Sequence, residues 1–152
     1  MIRKTFIFLI AVLTGCSSSG TKREIHETGI ESGTWLVYEG SLPCADCSEV
    51  KTRLELFIDH ANPDPPFILK QAYIGKKDED QAVIDHGFYG TVKLTFGENI
   101  ETVYEMNPYT PNKKIYFLRV NDDTLTVLDQ KAKVIKSEHQ YHLIRTETIR
   151  ER

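Results

Sequence analysis

Apolar and polar residues alternate with a period of two through most of the chain beyond residue 33. In the stretch TRLELFI, Leu54, Leu56 and Ile58 alternate with polar, charged or aromatic neighbours. Successive side chains of a β-strand point to opposite faces of the sheet, so this alternation predicts a strand with one buried face. In a second stretch, FYGTVKLTF, we expect the apolar set to form the buried face and the opposite set, which begins with Tyr89, to face outwards. The apolar set is Phe88, Val92, Leu94 and Phe96, and the opposite set is Tyr89, Thr91, Lys93 and Thr95.

Weaker alternation marks five further segments, and turn-forming residues separate them. The segments are Trp35 to Glu39, Phe67 to Tyr73, Lys114 to Val120, Thr124 to Asp129 and Gln140 to Arg145. The stretches between them, such as DHANPDPP, NPYTPN and NDD, are rich in the Gly, Pro, Asn and Asp that favour turns. About eight short strands at near-regular spacing predict an all-β fold, a small antiparallel meander closed into a β-barrel. Closure would also remove exposed strand edges.

The interior of such a barrel is either filled by its own side chains or holds one small ligand. Large residues that we expect to point inwards favour the filled interior, and a ligand-holding barrel stays open as the alternative. These residues are Trp35, Phe67, Phe88, Phe96 and Tyr141.

The first 33 residues have the pattern of an export signal and a tether. Arg3 and Lys4 precede an apolar core that is far shorter than the ~20 residues needed to cross a bilayer. The core ends in LTGC, the pattern of a bacterial lipobox, in which the chain is cleaved before the cysteine and the cysteine is acylated. The sequence therefore predicts four parts: a signal peptide at 1–15, a lipidated Cys16 with a flexible tether at 16–33, a barrel domain at 34–146 and a C-terminal tail at 147–152.

Acylation of Cys16 with palmitate-like chains would give a stable anchor in lipid. The residue after the cysteine is Ser17, and the bacterial sorting rule directs such lipoproteins to the outer membrane. We therefore expect outer-membrane lipid as a partner through Cys16, with the domain facing the periplasm or the cell surface.

The charge of the chain argues against a nucleic-acid partner. The sequence contains 19 Lys and Arg and 22 Asp and Glu, and removal of Arg3 and Lys4 with the signal peptide leaves 17 basic residues and a net charge of −5. Nucleic-acid-binding domains usually carry clustered basic residues, and none stands out here. We expect one modest domain that does not bind nucleic acid.

Cys44 and Cys47 are the two cysteines that remain once Cys16 is assigned to lipid. Thiols outside the cytoplasm are oxidised, so a disulfide between them is the expected state. Chain entropy gives so short a loop only roughly 2 kcal/mol of stability. Thiol catalysis is disfavoured, because catalytic pairs start a helix in a βαβ context and because Asp46 and Glu49 add negative charge beside the thiols.

Metal binding at Cys44 and Cys47 stays open as the second interpretation. Two thiolates suit Cu(I) or Zn(II), but a closed zinc site takes four ligands. His139 and His142 are three residues apart on an expected strand, where their side chains would point to opposite faces. A two-coordinate Cu(I) site formed by the cysteines alone therefore remains a candidate.

The segment YEGSLPCADCSEVKTRLELF resembles the motif of the NlpE lipoproteins, a family first named for copper resistance. Its specificity comes from the residues around the cysteines: Gly40, Leu42, Pro43 and Asp46. Similarity continues in Tyr73-x-Gly75, in DTLTVLD and in the final YHLIR, so the resemblance spans roughly residues 35–145.

The resemblance implies a lipocalin-like β-barrel on a non-enzymatic outer-membrane lipoprotein. Members of this family stimulate the Cpx sensor kinase of the envelope-stress response upon surface contact, lipoprotein-sorting failure or copper stress. Their motif cysteines, which match Cys44 and Cys47 here, have been proposed as a metal or redox element. A periplasmic copper- or zinc-binding protein and a lipocalin-like carrier of a small ligand are the alternatives.

Ala132 and Lys133 stand where a glycine usually follows LD, and this is one of three departures that limit what resemblance to the family implies. Its best-known members carry a second, OB-like domain that has no counterpart in these 152 residues, so the functions of that domain are not implied. The stretch HANPDPP lengthens a turn that is usually tight. We also expect no enzyme, since no serine–base, phosphate-binding or HExxH motif occurs.

Overall fold

The computed structural model describes residues 32–75 and 81–150, which form eight antiparallel strands and one short 3₁₀ turn at Pro111–Lys113. Each strand pairs with the next, and β8 pairs with β1, which closes the barrel. This topology confirms the predicted all-β fold. The strands are β1 Thr34–Leu42, β2 Glu49–Ile58, β3 Pro66–Ile74, β4 Gln81–Phe96, β5 Asn99–Met106, β6 Ile115–Asn121, β7 Thr124–Val127 and β8 His142–Arg150.

The core lies inside the barrel and follows the predicted alternation on β1 and β2. Leu36 and Tyr38 on β1 pair with Leu56 and Leu54 on β2, and all four side chains are almost fully buried. Phe67 on β3, Met106 on β5 and Phe117 on β6 complete the interior from the other strands.

The prediction for β4 is wrong about which face is buried. Tyr89 is buried and Phe88 is 54% exposed, so the face that begins with Tyr89 points inwards. Gly87 is on the same inward face, where an added Cβ would lie 3.2 Å from the ring of Phe67. Alternation alone did not decide the matter, because both faces of β4 carry large side chains.

The expected inward set is accordingly only partly correct. Phe67 is buried in the core, whereas Trp35 alternates with the buried Leu36 and therefore lies on the outer face. There its ring packs against Phe57, with 5.1 Å between centroids. The other members of the set, Phe88, Phe96 and Tyr141, are exposed or half-buried.

Strand β8 extends four residues beyond the expected domain boundary at 146. Its last four residues pair with Thr34 to Val37 of β1, from Val37↔Glu147 to Thr34↔Arg150, after a bulge between Val37 and Tyr38. All four are exposed, so no buried alternation marked them in the sequence. Residues 147–150 therefore belong to the barrel and not to a tail.

The expectations for the N-terminal 31 residues lie outside the described residues. These are the signal peptide at 1–15, the lipidated Cys16 and most of the tether. Within residues 32–75 and 81–150, no helix is long and apolar enough to span a bilayer.

Candidate functional site

The segment between β1 and β2, residues 43–48, carries the two cysteines and is called here the disulfide loop. It begins after Leu42 and ends before Glu49, and the pair Leu42↔Val50 holds its base. Both paired side chains are buried in the core. The loop is therefore fixed at its base, while Ala45 and Asp46 at its tip are exposed.

Cys44 and Cys47 form a disulfide, with an S–S distance of 2.00 Å and a Cα–Cα distance of 5.3 Å. The two side chains are half-buried and pack against the core. Cys44 Sγ lies 3.5 Å from Asp46 Oδ1, and Cys47 Sγ lies 3.4 Å from the carbonyl oxygen of Glu49. The disulfide thus closes the loop over the end of the barrel.

The disulfide loop is held against the end of β3. The amide of Ser48 donates a hydrogen bond to the carbonyl of Ile74, 2.8 Å away. Gly75 follows with a positive φ of 76°, and a Cβ there would lie 2.5 Å from Ser48 Oγ. Ser48 and Gly75 therefore fit together only because Gly75 has no side chain.

The motif residues around the cysteines have distinct structural roles. A Cβ at Gly40 would lie 2.4 Å from the carbonyl oxygen of His142, so β1 and β8 approach closely at this position. Leu42 is buried, Pro43 is half-buried at the start of the loop, and Asp46 is exposed beside Cys44. Gly40 and Leu42 therefore contribute to the packing of the barrel, whereas Asp46 is exposed to solvent.

The disulfide loop also contains the metal-ligand candidates. Ligand atoms of Cys44, Asp46 and Cys47 all lie within 4.8 Å of one another, and they form the single such group among the described residues. In the disulfide the sulfurs offer no thiolate, so only the reduced loop supplies two thiolates and a carboxylate, a set suited to a soft ion. His142 lies elsewhere, with its Nδ1 2.7 Å from Thr126 Oγ1, and His139 is exposed.

A cavity of about 310 Å³ inside the barrel forms a second candidate site that the sequence analysis did not find. We call it the tyrosine cavity. It is lined by three tyrosines, two cationic residues and the connection between β2 and β3. The main lining residues are Leu36, Tyr38, Tyr89, Thr91, Lys93, Thr102, Tyr104, Arg119 and Asp122, with Asp59, His60, Asn62, Pro63 and Pro65 from the connection.

The tyrosine hydroxyls differ in their hydrogen bonds. Tyr38 donates to the backbone carbonyl of Asp122 at 3.0 Å, and Tyr89 donates to the carbonyl of Phe57 at 2.9 Å. Tyr104 packs edge-on against Tyr89, with 5.6 Å between ring centroids. Within residues 32–75 and 81–150, no group accepts a hydrogen bond from the Tyr104 hydroxyl, although only 9% of that residue is exposed.

Burial keeps these hydroxyls protonated. It raises the pKa of Tyr38 and of Tyr89 far above the ordinary value, and neighbouring phenols add to the effect. Burial also raises the pKa of Tyr104. All three side chains therefore remain hydrogen-bond donors at neutral pH.

The cations of the tyrosine cavity have different partners. Arg119 forms an ion pair with Asp122, across the β6–β7 turn. Lys93 Nζ donates to the neutral Thr102 Oγ1 at 2.7 Å, and it makes no ion pair within the described part of the chain. The sequence signal for this site is the alternation Tyr89-x-Thr91-x-Lys93, which lies on the inner face of β4 and not on the outer face as predicted.

Comparison with known proteins places these features in a family. The sequence model of the NlpE N-terminal domain matches residues 38–138, from the middle of β1 to the connection before β8. The chain belongs to the NlpE N-terminal domain family. The disulfide loop and most of the residues that line the tyrosine cavity lie within the matched range of this NlpE domain.

Two individual proteins resemble this NlpE domain. Lipoprotein NlpE of Escherichia coli strain K12 is 28% identical over 106 residues, which are 70% of this chain but 39% of the length of that relative. A crystal structure of a candidate lipoprotein from Shewanella oneidensis is 23% identical with a TM-score of 0.48, and the match covers 72% of this chain and 85% of that one.

Proposed function

We propose that this chain is an NlpE-type outer-membrane lipoprotein that signals envelope stress or surface contact and does not catalyse a reaction. The observation that carries the proposal is the family match over residues 38–138, which includes the disulfide loop. The lipobox that ends at Cys16 supports an acyl anchor in the outer membrane. A sensor kinase of the Cpx type is the proposed partner.

The disulfide loop is the part of the barrel that we assign to partner recognition. It projects from the end of β1 that is opposite Thr34, where the chain enters the barrel. Its base is held by core residues and by the Ser48–Ile74 hydrogen bond, while Ala45 and Asp46 stay exposed. A fixed, exposed tip is suited to recognition, because little ordering is needed on binding.

Overproduction of the full chain in a strain with an envelope-stress reporter tests the signalling function. We expect a several-fold rise in reporter output when the protein fractionates with the outer membrane. The Cys16→Ser variant should leave the membrane fraction, which tests the anchor separately. An unchanged reporter in cells that hold the wild-type chain in the outer membrane would exclude signalling.

Copper binding at the disulfide loop is a second candidate function. The observation that favours it is the grouping of Cys44, Asp46 and Cys47 within 4.8 Å. Reduction would give two thiolates that prefer Cu(I), with Zn(II) held less well because the group supplies only three of four usual ligands.

Titration of the reduced mature protein with Cu(I), against a competing chelator, tests this second function. The double variant Cys44→Ser/Cys47→Ser should lose the site. Asp46→Asn should weaken it, and Glu98→Gln, in the exposed β4–β5 turn, should leave it unchanged. Equal affinity of the wild type and the double variant would exclude copper binding at this loop.

A further inference from the structure

We propose that the tyrosine cavity binds a small monocarboxylate with a short apolar body, such as a medium-chain fatty acid. This inference goes beyond the proposed signalling function and concerns a different part of the barrel. It rests on the size of the cavity, on the balance of its hydrogen-bonding groups and on the segment that frames it.

The size of the cavity sets the size of the ligand. Its volume of about 310 Å³ lies at the lower end of the range usual for ligand pockets. A water molecule in the liquid occupies about 30 Å³, so the cavity accommodates on the order of ten non-hydrogen atoms. A fatty acid of medium chain length fits this limit, whereas a phospholipid does not.

Several acceptor groups of the tyrosine cavity are already engaged. The carboxylate of Asp122 accepts from Arg119, and its backbone carbonyl accepts from Tyr38. The carboxylate of Asp59 accepts from the Ala61 amide at 2.9 Å and from the Ser32 hydroxyl at 3.3 Å. Both bonds to Asp59 end on Oδ1, so its Oδ2 retains acceptor capacity beside the unused donors of the cavity.

Two of these donors point to an anionic ligand. The Tyr104 hydroxyl has no acceptor among the described residues. The residue as a whole is 9% exposed, and its hydroxyl oxygen is accessible, since no fully buried side-chain oxygen or nitrogen in the described part of the chain lacks a partner. The Lys93 ammonium group has three N–H donors, and the structure uses one of them on Thr102. A carboxylate is the acceptor that suits either group, and such charge-assisted hydrogen bonds are stronger than those between neutral groups.

The remaining wall is apolar and suits the body of such a ligand. Leu36 is 2% exposed, and the rings of Tyr38 and Tyr89 form adjacent surfaces inside the barrel. Burial of an alkyl chain against these residues is favourable by about 25 cal/mol for each Å² of apolar surface removed from water. The cavity thus combines hydrogen-bond donors with an apolar surface.

The lengthened β2–β3 connection gives the cavity a preformed rim. The amide of Asp64 donates to Asn62 Oδ1 at 3.0 Å, and the hydroxyl of Tyr109 donates to Asp64 Oδ1 at 2.6 Å. Pro63 and Pro65 further restrict the backbone. A rim that is already ordered lowers the entropic cost of binding. The HANPDPP stretch would therefore act as the ordered rim of the ligand site.

Titration of the mature protein with octanoate, followed by NMR and calorimetry, tests the proposal. We expect saturable binding at one site, with shifts of the ring resonances of Tyr38, Tyr89 and Tyr104. Octanol has a similar apolar body but no carboxylate, and we expect it to bind roughly tenfold more weakly.

Matched variants separate the carboxylate contacts from general hydrophobic binding. Lys93→Met and Tyr104→Phe should each lower the affinity for octanoate, by roughly tenfold for the lysine change, while octanol binding stays the same. Lys51→Met alters an exposed lysine outside the cavity and should change neither. Because the Lys93 side chain is exposed at the rim, its variant remains informative even if Tyr104→Phe fails to fold.

Three results would overturn the proposal. They are the absence of saturable octanoate binding, equal affinity for octanoate and octanol, and an unchanged octanoate affinity in Lys93→Met. Shifts confined to residues on the outer face would likewise place the ligand elsewhere. None of these results bears on the signalling function, which is tested by the reporter.

Discussion

Gly40 shows at the level of one residue why the motif before the cysteines contains a glycine. Its position is not in the left-handed region of backbone conformation, so conformational freedom is not the reason. The reason is space, because a Cβ would lie 2.4 Å from the His142 carbonyl oxygen and 2.9 Å from Leu143 Cδ2. The glycine of the motif therefore permits the close contact of β1 with β8.

We predict that Gly40→Ala lowers the free energy of unfolding by about 1–3 kcal/mol, because a well-packed interface must shift to accept the methyl group. Urea denaturation followed by circular dichroism measures the change. Gly90→Ala is the matched control, since the nearest heavy atom to its added Cβ would be Pro108 Cγ at 4.0 Å. Equal stability of the two variants would contradict this account of Gly40.

The disulfide loop is the element whose covalent closure can be tested directly. Leu42, Val50 and the Ser48–Ile74 hydrogen bond hold its base independently of the S–S bond. We predict that Cys44→Ser/Cys47→Ser lowers the free energy of unfolding by about 2 kcal/mol or less and leaves the barrel folded. Urea denaturation of the wild type with and without reductant should give a similar difference. Unfolding on reduction alone would refute the prediction.

The end of β8 is the element that the sequence analysis placed in a tail. Its last four residues pair with the first four of β1. We predict that a chain ending at Thr146 loses about 2–4 kcal/mol of stability, at roughly 0.5–1.5 kcal/mol for each lost hydrogen bond. Hydrogen exchange should show faster exchange of the amides in Thr34 to Val37 that donate to β8. A chain ending at Arg150 is the control, and equal protection in both would contradict the role of β8.

Strand β4 shows how far the sequence predicts the elements and where it stops. A period of two revealed the part of the strand from Phe88 to Phe96, because this signal is local. The strand begins earlier, at Gln81, and that start was not predicted. Which face points inwards depends on packing against other strands. Tyr89 and Phe88 are both large enough to fill the interior, and in the structure Tyr89 occupies it. The error also concealed the tyrosine cavity, whereas the disulfide loop was visible because cysteine spacing is itself a local signal.

At the scale of the whole molecule, the buried tyrosines predict a loss of stability in alkali. The pKa of Tyr38 and of Tyr89 is raised in the folded chain, mainly by burial, while an unfolded tyrosine ionises near pH 10. A raised pKa gives stabilisation that is complete below the unfolded value and is lost as the pH rises above it. The barrel should therefore become less stable above about pH 10.

Urea midpoints at neutral and strongly alkaline pH measure this loss. The stability of Tyr89→Phe should decrease less than that of the wild type between the two pH values. The variant lacks one phenol that ionises readily in the unfolded chain and resists ionisation in the folded chain. Tyr141→Phe, at a half-buried position outside the strands, is the control and should match the wild type. A pH dependence that is the same in all three proteins would rule out the buried tyrosines as its cause.

The pairing of β1 with β8, which closes the barrel, also determines the end of the barrel at which a membrane anchor or another domain can be attached. Thr34 lies beside Arg150 at one end of β1, and Leu42 leads into the disulfide loop at the other. At about 3.3 Å per residue, these two ends of the strand are roughly 26 Å apart. A membrane anchor or fused protein attached before Thr34 and a domain attached after Arg150 would therefore lie at the same end of the barrel. The disulfide loop lies at the opposite end, where a second molecule can contact it.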